Sequence, residues 1–209
     1  MTTPEFIWDG SDKAPATLPL AHGAGAAMDS PFMNSIAAGL AATGIRVGRF
    51  EFPYMARRRR DGRRRPPDRA PVLLDCWQQA ISCAGPRDRL FIGGKSMGGR
   101  IASLIADEAA VRGLICLGYP FHPSGRPDRL RTDHLKTIRT PTLVCQGARD
   151  PMGNRTEVVR YSLSESIQFC WLPDGDHGFK PRKASGTTEN ANLQAAVSAI
   201  ADFVMHITD

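Results

Sequence analysis

With 209 residues, the chain is long enough for one full-sized α/β domain and short for two, so we expect a single domain over residues 1–209. Its content of 42% hydrophobic and 23% charged residues is ordinary for a globular protein. The net charge of +6 equals that of one segment, RRRRDGRRR at 57–65, which carries seven arginines and one aspartate. Because the rest of the chain is neutral, we expect no broadly basic face and no nucleic-acid binding as the main role.

The N-terminus and the cysteines predict a cytoplasmic protein that needs no cofactor. No apolar run approaches the roughly 20 residues of a membrane-spanning helix, and MTTPEFIWDG lacks the basic and apolar regions of a secretory signal. The five cysteines are scattered and lie mostly in apolar runs, which is typical of buried thiols in a reducing compartment. No CxxC pair or Cys/His cluster indicates a metal site.

Short apolar runs alternate with segments of helical periodicity, which predicts an α/β fold: a mostly parallel sheet of about six or seven strands with helices on both faces. In chain order, the first elements are an edge strand in EFIWDG, a strand in ATLPLAHGAGA, a helix in PFMNSIAAGLAATG and a strand in IRVGRFEFP. The arginine- and proline-rich segment from 54 to 71 is interpreted as a long loop, exposed over 57–69. A helix in APVLLDCWQQAISCAG follows.

The second half continues the alternation. It is predicted to contain a strand in RLFIGG, a helix in MGGRIASLIADEAA, a strand in VRGLICLGYP, a short helix near RLRTDHLKTI, a strand in TPTLVCQG, a helix in RTEVVRYSL, a strand in SIQFCWLP and a closing helix in ENANLQAAVSAIADFVMHI. Only residues 121–140 separate the strand in GLICLGYP from the strand in TPTLVCQG, and this connection is too short for a lid domain. Ligands of such sheets bind where the strands end.

The segment GGKSMGG at 93–99 allows two interpretations. A phosphate-binding loop needs a glycine five residues before Gly94, but that position is Arg89 and the intervening residues form an apolar strand. The other interpretation is the sharp strand-to-helix turn that exposes a nucleophilic serine, which requires small residues on both sides of Ser96. The glycines that flank Ser96, the preceding strand and the following helix all favour the second interpretation.

A nucleophilic serine needs a base, and the base needs an acid that orients it. In this architecture the acid and the histidine follow the serine in chain order, each after a later strand. Asp150 follows TPTLVCQG and His177 follows SIQFCWLP, so we predict the triad Ser96, Asp150 and His177. The weaker alternatives are His122, His134 and His206 for the base, and Asp174 and Asp176 for the acid.

Two backbone N–H groups should bind the oxyanion that forms when the serine attacks a carbonyl. Met97, directly after the nucleophile, supplies one. The glycine-rich AHGAGA after an early strand supplies the other, with Ala24 preferred and Gly25 as the alternative. His22 is interpreted as a structural loop residue. We expect a shallow, open site bordered by Tyr119, Phe121, Met152 and Phe179.

The motifs resemble those of the α/β-hydrolases, and more narrowly a small bacterial group of hydrolases related to the testis-expressed protein 30 and KANSL3-like proteins. The resemblance rests on LAHGAGAAMDSPFMNSIAAGL, RFEFPYMARRRRDGRRRPPDRAP, GGKSMGGRIAS, CLGYPFHPSGRPDRLRTDHL, QGARDPMG and DGDHGFKPRKASG. It implies an α/β-hydrolase fold without a lid, with Ser96, Asp150 and His177 as the triad. Dienelactone hydrolases are more distant relatives that carry cysteine at the position of Ser96.

Together these features predict a cytoplasmic serine hydrolase that cleaves a small ester, thioester or related acyl substrate. The alternative is a catalytically weak scaffold of the same fold that binds a protein or an anionic ligand through the arginine run. The order of serine, acid and histidine along the chain favours the enzyme, because a scaffold needs neither a base nor an acid at neighbouring strand ends. The arginine run itself is most simply a solvated face.

Overall fold

A computed structural model describes residues 3–208 of the chain. Seven strands form one sheet: β1 (Phe6–Asp9), β2 (Thr17–Ala21), β3 (Arg46–Phe50), β4 (Phe91–Lys95), β5 (Gly113–Leu117), β6 (Thr142–Gly147) and β7 (Ile167–Leu172). Their order across the sheet is β1-β3-β2-β4-β5-β6-β7. Only the edge strand β1 is antiparallel to its neighbour, and every other adjacent pair is parallel. The carboxyl ends of β2 to β7 therefore lie along one edge of the sheet.

Helices cover both faces of this sheet. They are α1 (Pro31–Ala42), α2 (Pro53–Asp61), α3 (Ala70–Ala84), α4 (Met97–Ser103), α5 (Ala106–Ala109), α6 (Arg155–Val158) and α7 (Glu189–Thr208). One apolar cluster joins α1 and α7 to one face, and the other joins α2, α3 and α4 to the opposite face. Strand β5 contributes alternate side chains to the two clusters, which explains why its sequence is apolar throughout.

The segment from 54 to 71, interpreted as a long exposed loop, begins with a helix, so the prediction for residues 54–61 is wrong. Helix α2 starts with Pro53, a residue suited to the first helical position, and ends before Gly62, whose φ is 71°. Tyr54 and Met55, in its first turn, are buried. Arg57 and Arg58 are half-buried and Arg59 and Arg60 are exposed, and this run of charges masks the apolar positions that would have indicated a helix. Residues 62–69 form an irregular connection to α3.

Other helices are shorter than their sequence patterns predicted. The helix after β4 breaks at residues 104–105 into α4 and α5, and α6 is a single turn. Between β5 and β6 lies a connection whose regular structure is one 3₁₀ turn at Asp133–Lys136, so there is no room for a lid domain there. Within residues 3–208, no helix has both the length and the apolar character needed to cross a membrane.

Candidate active site

Ser96 occupies the sharp turn between β4 and α4. Its φ of 52° and ψ of −115° lie outside the regions that L-residues ordinarily adopt. The turn is held on the strand side by the Ser96 N–H, which donates to the Leu117 carbonyl of β5 at 3.0 Å. On the helix side, the Ser96 carbonyl accepts from the Arg100 N–H at 3.0 Å. The strained backbone presents the hydroxyl above the carboxyl edge of the sheet.

The glycines around Ser96 are required by close packing against β2. A Cβ at Gly98 would lie 2.6 Å from the Ala21 carbonyl oxygen and 2.7 Å from that of His22. A Cβ at Gly94 would lie 2.6 Å from the Gly98 backbone. Both contacts are with backbone atoms, which cannot rotate away. The sequence reasoning that small residues must flank the serine thus has a direct structural cause.

The three predicted side chains meet, although they come from distant parts of the chain. His177 Nε2 lies 2.9 Å from Ser96 Oγ. His177 Nδ1 lies 2.7 Å from Asp150 Oδ2. Asp150 follows β6 and His177 follows β7, so adjacent parallel strands bring the carboxylate to the ring. The arrangement can transfer a proton from the hydroxyl to Nε2 while Nδ1–H donates to the carboxylate.

Asp150 is fully buried, and each of its oxygens has a further partner. The Met152 N–H donates to Oδ1 at 2.8 Å, and Gln146 Nε2 donates to Oδ2 at 3.0 Å. Gln146 is itself fully buried, and its Oε1 accepts from the Tyr119 N–H at 2.7 Å. Sequence reasoning missed Gln146. Its one signal was a polar residue near the end of an otherwise apolar strand, four residues before the predicted acid.

Lys95, between the glycine and the serine of the motif, is a second residue that sequence reasoning missed. Its Nζ donates to the His177 carbonyl and lies over the rings of Phe32 and Phe179, at 5.3 and 5.5 Å from their centroids. Burial lowers the pKa of Lys95 to about 8, against the opposing attraction of Asp150 and Asp176. Lys95 therefore fixes the backbone of the loop that carries the histidine.

The glycine-rich turn after β2 reaches the same place. A Cβ at Gly23 would lie 3.6 Å from the Ser96 Cβ, so this backbone passes directly beside the serine. The hydroxyl of Tyr54 donates to the Ala24 carbonyl at 2.9 Å. Both Ala24 and Met97 line the cavity in front of Ser96, and over residues 3–208 their N–H groups have no hydrogen-bond partner.

His22 is structural, as the sequence predicted. It is fully buried, with Nδ1 2.6 Å from the Gly23 carbonyl oxygen and Nε2 3.1 Å from the Phe52 N–H. Burial lowers the pKa of His22, which favours the neutral ring. A neutral ring with its proton on Nδ1 satisfies both contacts, donating to Gly23 and accepting from Phe52. His22 thereby fixes the peptide that joins Gly23 to Ala24.

A cavity of about 740 Å³ opens in front of the serine, within the range of small-molecule sites. Met152 lines it, as predicted. The prediction that Tyr119, Phe121 and Phe179 line it is wrong, because all three side chains are buried outside it. Aromatic residues after strands were interpreted as a site border, but here they fill the space beneath the loops. Other lining residues include Phe32, Met33, Leu73, Pro120, Arg100 and Arg131.

The alternative bases and acids make contacts away from Ser96. His122 lies 2.9 Å from the Pro123 carbonyl oxygen, and His134 lies 2.8 Å from Ser103 Oγ. Asp174 pairs with Arg182 at 2.6 Å and with Arg149. Asp176 Oδ1 accepts from backbone N–H groups of its own loop. Among the described residues, no group of three or more His, Cys, Asp or Glu side chains could hold a metal ion.

Comparison with known proteins agrees with this architecture. The structure of a dienelactone hydrolase from Anabaena variabilis superposes with a TM-score of 0.71 at 20% identity, over 98% of this chain and 99% of that one. A serine hydrolase without a lid from Xanthomonas campestris superposes with a TM-score of 0.65 at 17% identity, over 99% of this chain and 94% of that one. The protein Est1E from Butyrivibrio proteoclasticus superposes with a TM-score of 0.68 at 12% identity, over 99% of each chain.

A family model described as an alpha/beta hydrolase domain matches residues 14–205, which is nearly the whole chain. The seven-stranded, mostly parallel sheet and the connection without a lid fit that family. The predicted fold is confirmed. The chain belongs to the alpha/beta hydrolase family.

Proposed function

We propose that the protein is a serine hydrolase that cleaves a small ester, thioester or related acyl compound through an acyl-enzyme intermediate. The observation that carries this proposal is the continuous chain of hydrogen bonds from Ser96 Oγ to His177 and from His177 to the buried Asp150, at 2.9 and 2.7 Å. A lone serine is a weak nucleophile, and this arrangement supplies both the base and the group that orients the base.

The chemistry follows from the positions of these groups. His177 Nε2 takes the Ser96 proton as the hydroxyl oxygen attacks the substrate carbonyl carbon. The N–H groups of Met97 and Ala24 stabilise the negative charge that develops on the carbonyl oxygen. His177 then protonates the leaving alcohol or thiol as its bond to the acyl carbon breaks. Water, activated by the same ring, cleaves the acyl ester and restores Ser96.

The surroundings of the site support an esterase-like substrate. The cavity next to Ser96 is lined by apolar residues such as Met33 and Leu73 and has the volume of a small-molecule site. Two of the similar structures described above are named a dienelactone hydrolase and a serine hydrolase.

We also propose that the protein belongs to the bacterial group related to testis-expressed protein 30 and KANSL3-like proteins, on the basis of the sequence motifs. We propose a cytoplasmic location, since all five cysteines are free.

The alternative of a scaffold acting through the arginine run is weakened by internal ion pairs. Arg59 contacts Asp29 at 2.8 Å and Glu51 at 2.7 Å, and Arg57 contacts Asp68 at 2.6 Å. These arginines attach α2 to the neighbouring loops. Part of the run therefore has a structural role, which a surface kept for an external partner would not need.

A fluorophosphonate probe tests the proposal, because it reacts with activated serines. We expect the unmodified protein to be labelled, and Ser96→Ala to lose the label together with hydrolysis of p-nitrophenyl esters. Ser82→Ala is the matched control, because Ser82 is exposed on α3 and should leave both unchanged. Labelling that persists in Ser96→Ala would reject Ser96 as the nucleophile.

A further inference from the structure

Two arginines of the cavity wall have no protein partner. Arg100 and Arg131 both line the cavity that contains Ser96, and both are half-buried. Neither guanidinium makes a hydrogen bond or an ion pair anywhere in residues 3–208. By contrast Arg49, whose side chain is almost fully buried, forms an ion pair with Asp9 at 2.8 Å. A partly buried charge without a partner is costly, and two like charges facing one cavity cost more.

The backbone around both arginines is held firmly. Arg100 lies one turn of α4 after Ser96, and its carbonyl accepts from Ser103 Oγ at 2.7 Å. The Arg131 N–H donates to the Phe121 carbonyl at 2.7 Å, and the Arg131 carbonyl accepts from the Tyr119 hydroxyl at 3.0 Å. Tyr119 and Phe121, two of the three aromatic residues expected to border the site, thus anchor Arg131 instead. Both cationic side chains are carried by fixed backbone.

The electrostatics of this wall are positive. Burial lowers the pKa of Arg131, and the like charge of Arg100 lowers it further. Two carboxylates also line the cavity, but Asp68 is already bonded to Arg57 and to the Tyr54 N–H. The other is Glu189, which is exposed at the first turn of α7.

We propose that Arg100 and Arg131 form a subsite for an anionic group of the substrate, so that the protein prefers acyl compounds that carry a carboxylate besides the bond to be cleaved. This inference rests on the proposed function and names its substrate class. Guanidinium groups bind carboxylates through paired N–H donors, and an anion here would neutralise two like charges. Because an α-helix rises about 1.5 Å per residue, the Arg100 Cα lies roughly 6 Å along α4 from Ser96, so the anion belongs several bonds from the reacting carbonyl.

Two matched pairs of chromogenic esters test the proposal. On the acyl side, the mono-p-nitrophenyl ester of adipic acid is compared with p-nitrophenyl hexanoate, which has the same chain length without the charge. On the leaving-group side, the butyrate ester of 5-hydroxy-2-nitrobenzoic acid is compared with p-nitrophenyl butyrate. Rates without protein are subtracted, because a neighbouring carboxylate can hydrolyse its own ester.

We expect the anionic member of at least one pair to have a kcat/KM at least about tenfold higher, the size of one charge-assisted hydrogen bond. Arg100→Gln and Arg131→Gln should each reduce that preference, mainly through KM, and the double variant should abolish it, so that the anionic and neutral members of each pair then have equal kcat/KM values. Arg129→Gln, an exposed neighbour outside the cavity, should change nothing. Equal kcat/KM values within both pairs, or a preference that survives the double variant, would overturn the subsite.

Binding separates failure of the subsite from failure of the proposed chemistry. If no ester is hydrolysed, the proposed function fails, and calorimetry of monomethyl adipate with Ser96→Ala decides on the subsite. Loss of this binding when Arg100→Gln and Arg131→Gln are added to Ser96→Ala supports the subsite. The subsite is overturned if monomethyl adipate does not bind, or if its affinity is the same with and without the two arginines. Thermal unfolding checks that the variants fold, and removal of two unpaired like charges should not lower the melting temperature.

Discussion

Replacement of Asp150 by asparagine removes one charge from a fully buried position and leaves the size of the side chain unchanged. The carboxylate accepts three hydrogen bonds: from Met152 N–H at 2.8 Å, from Gln146 Nε2 at 3.0 Å and from His177 Nδ1 at 2.7 Å. An amide has one acceptor oxygen and one donor nitrogen, so it cannot accept on both sides. In either orientation of the amide that Asp150→Asn introduces, its NH₂ group faces another hydrogen-bond donor.

The two orientations have different consequences, one for activity and one for stability. If the amide oxygen faces Met152, its NH₂ faces His177 Nδ1, and the ring must move its proton to Nε2, where it can no longer accept the Ser96 proton. If the oxygen faces His177, the half-buried Met152 N–H loses its acceptor, which costs about 0.5–1.5 kcal/mol of folding free energy. We expect kcat to fall by about 10⁴-fold, the loss found for the same change in a serine protease triad.

The assay is steady-state hydrolysis of p-nitrophenyl butyrate, with kcat and KM determined separately and with circular dichroism to check the fold. Asp88→Asn is the control, because Asp88 is exposed on the 3₁₀ turn before β4. It makes the same chemical change far from the cavity and should leave kcat unaltered. A folded Asp150→Asn protein that retains kcat within about threefold of the unmodified protein would refute the role assigned to the carboxylate.

Three further substitutions test the supports of the site. Gly98→Ala should lower the free energy of unfolding by about 1–3 kcal/mol, because its Cβ would meet the Ala21 carbonyl oxygen at 2.6 Å; an unchanged urea midpoint would contradict this. Gln146→Leu should lower kcat on a neutral ester while KM stays constant, whereas Gln78→Leu on the exposed side of α3 should leave both unchanged; an unaltered kcat would rule out positioning by Gln146. Lys95 should be ionised in the folded protein only below its pKa of about 8, against an ordinary value of 10.5. The cost of burying its charge thus disappears as pH rises from 8 towards 10.5. The unfolding free energy of the unmodified protein should therefore rise relative to that of Lys95→Met between pH 7 and 10. A difference between the two proteins that is independent of pH would contradict the burial argument.

Sequence patterns predicted the sheet well because its central strands, β2 to β6, are buried on both faces. An apolar run such as that of β5 has few alternative structures once the flanking turns are recognised. The order of Ser96, Asp150 and His177 could be predicted for a related reason. In a parallel sheet each residue that directly follows a strand lies at the same edge, so chain order alone brings the three residues to one edge.

The failures concern residues whose position depends on tertiary contacts. Helix α2 was missed because its arginines hide its apolar positions. The ion pair of Arg59 with Asp29 joins segments 30 residues apart in sequence, which no local pattern reveals. Tyr119 and Phe121 were assigned to the cavity because they follow a strand, yet the direction of a loop side chain depends on neighbours that no local pattern reveals.

The central claim is that Ser96 becomes acylated during turnover. The most direct measurement is mass spectrometry of peptides from protein quenched within the first turnover of a p-nitrophenyl ester, alongside the release of nitrophenol. We predict an initial burst of nitrophenol and an acyl group on the peptide that contains Ser96, with neither in Ser96→Ala. Hydrolysis that proceeds while Ser96 stays unmodified and another residue carries the acyl group would contradict the account.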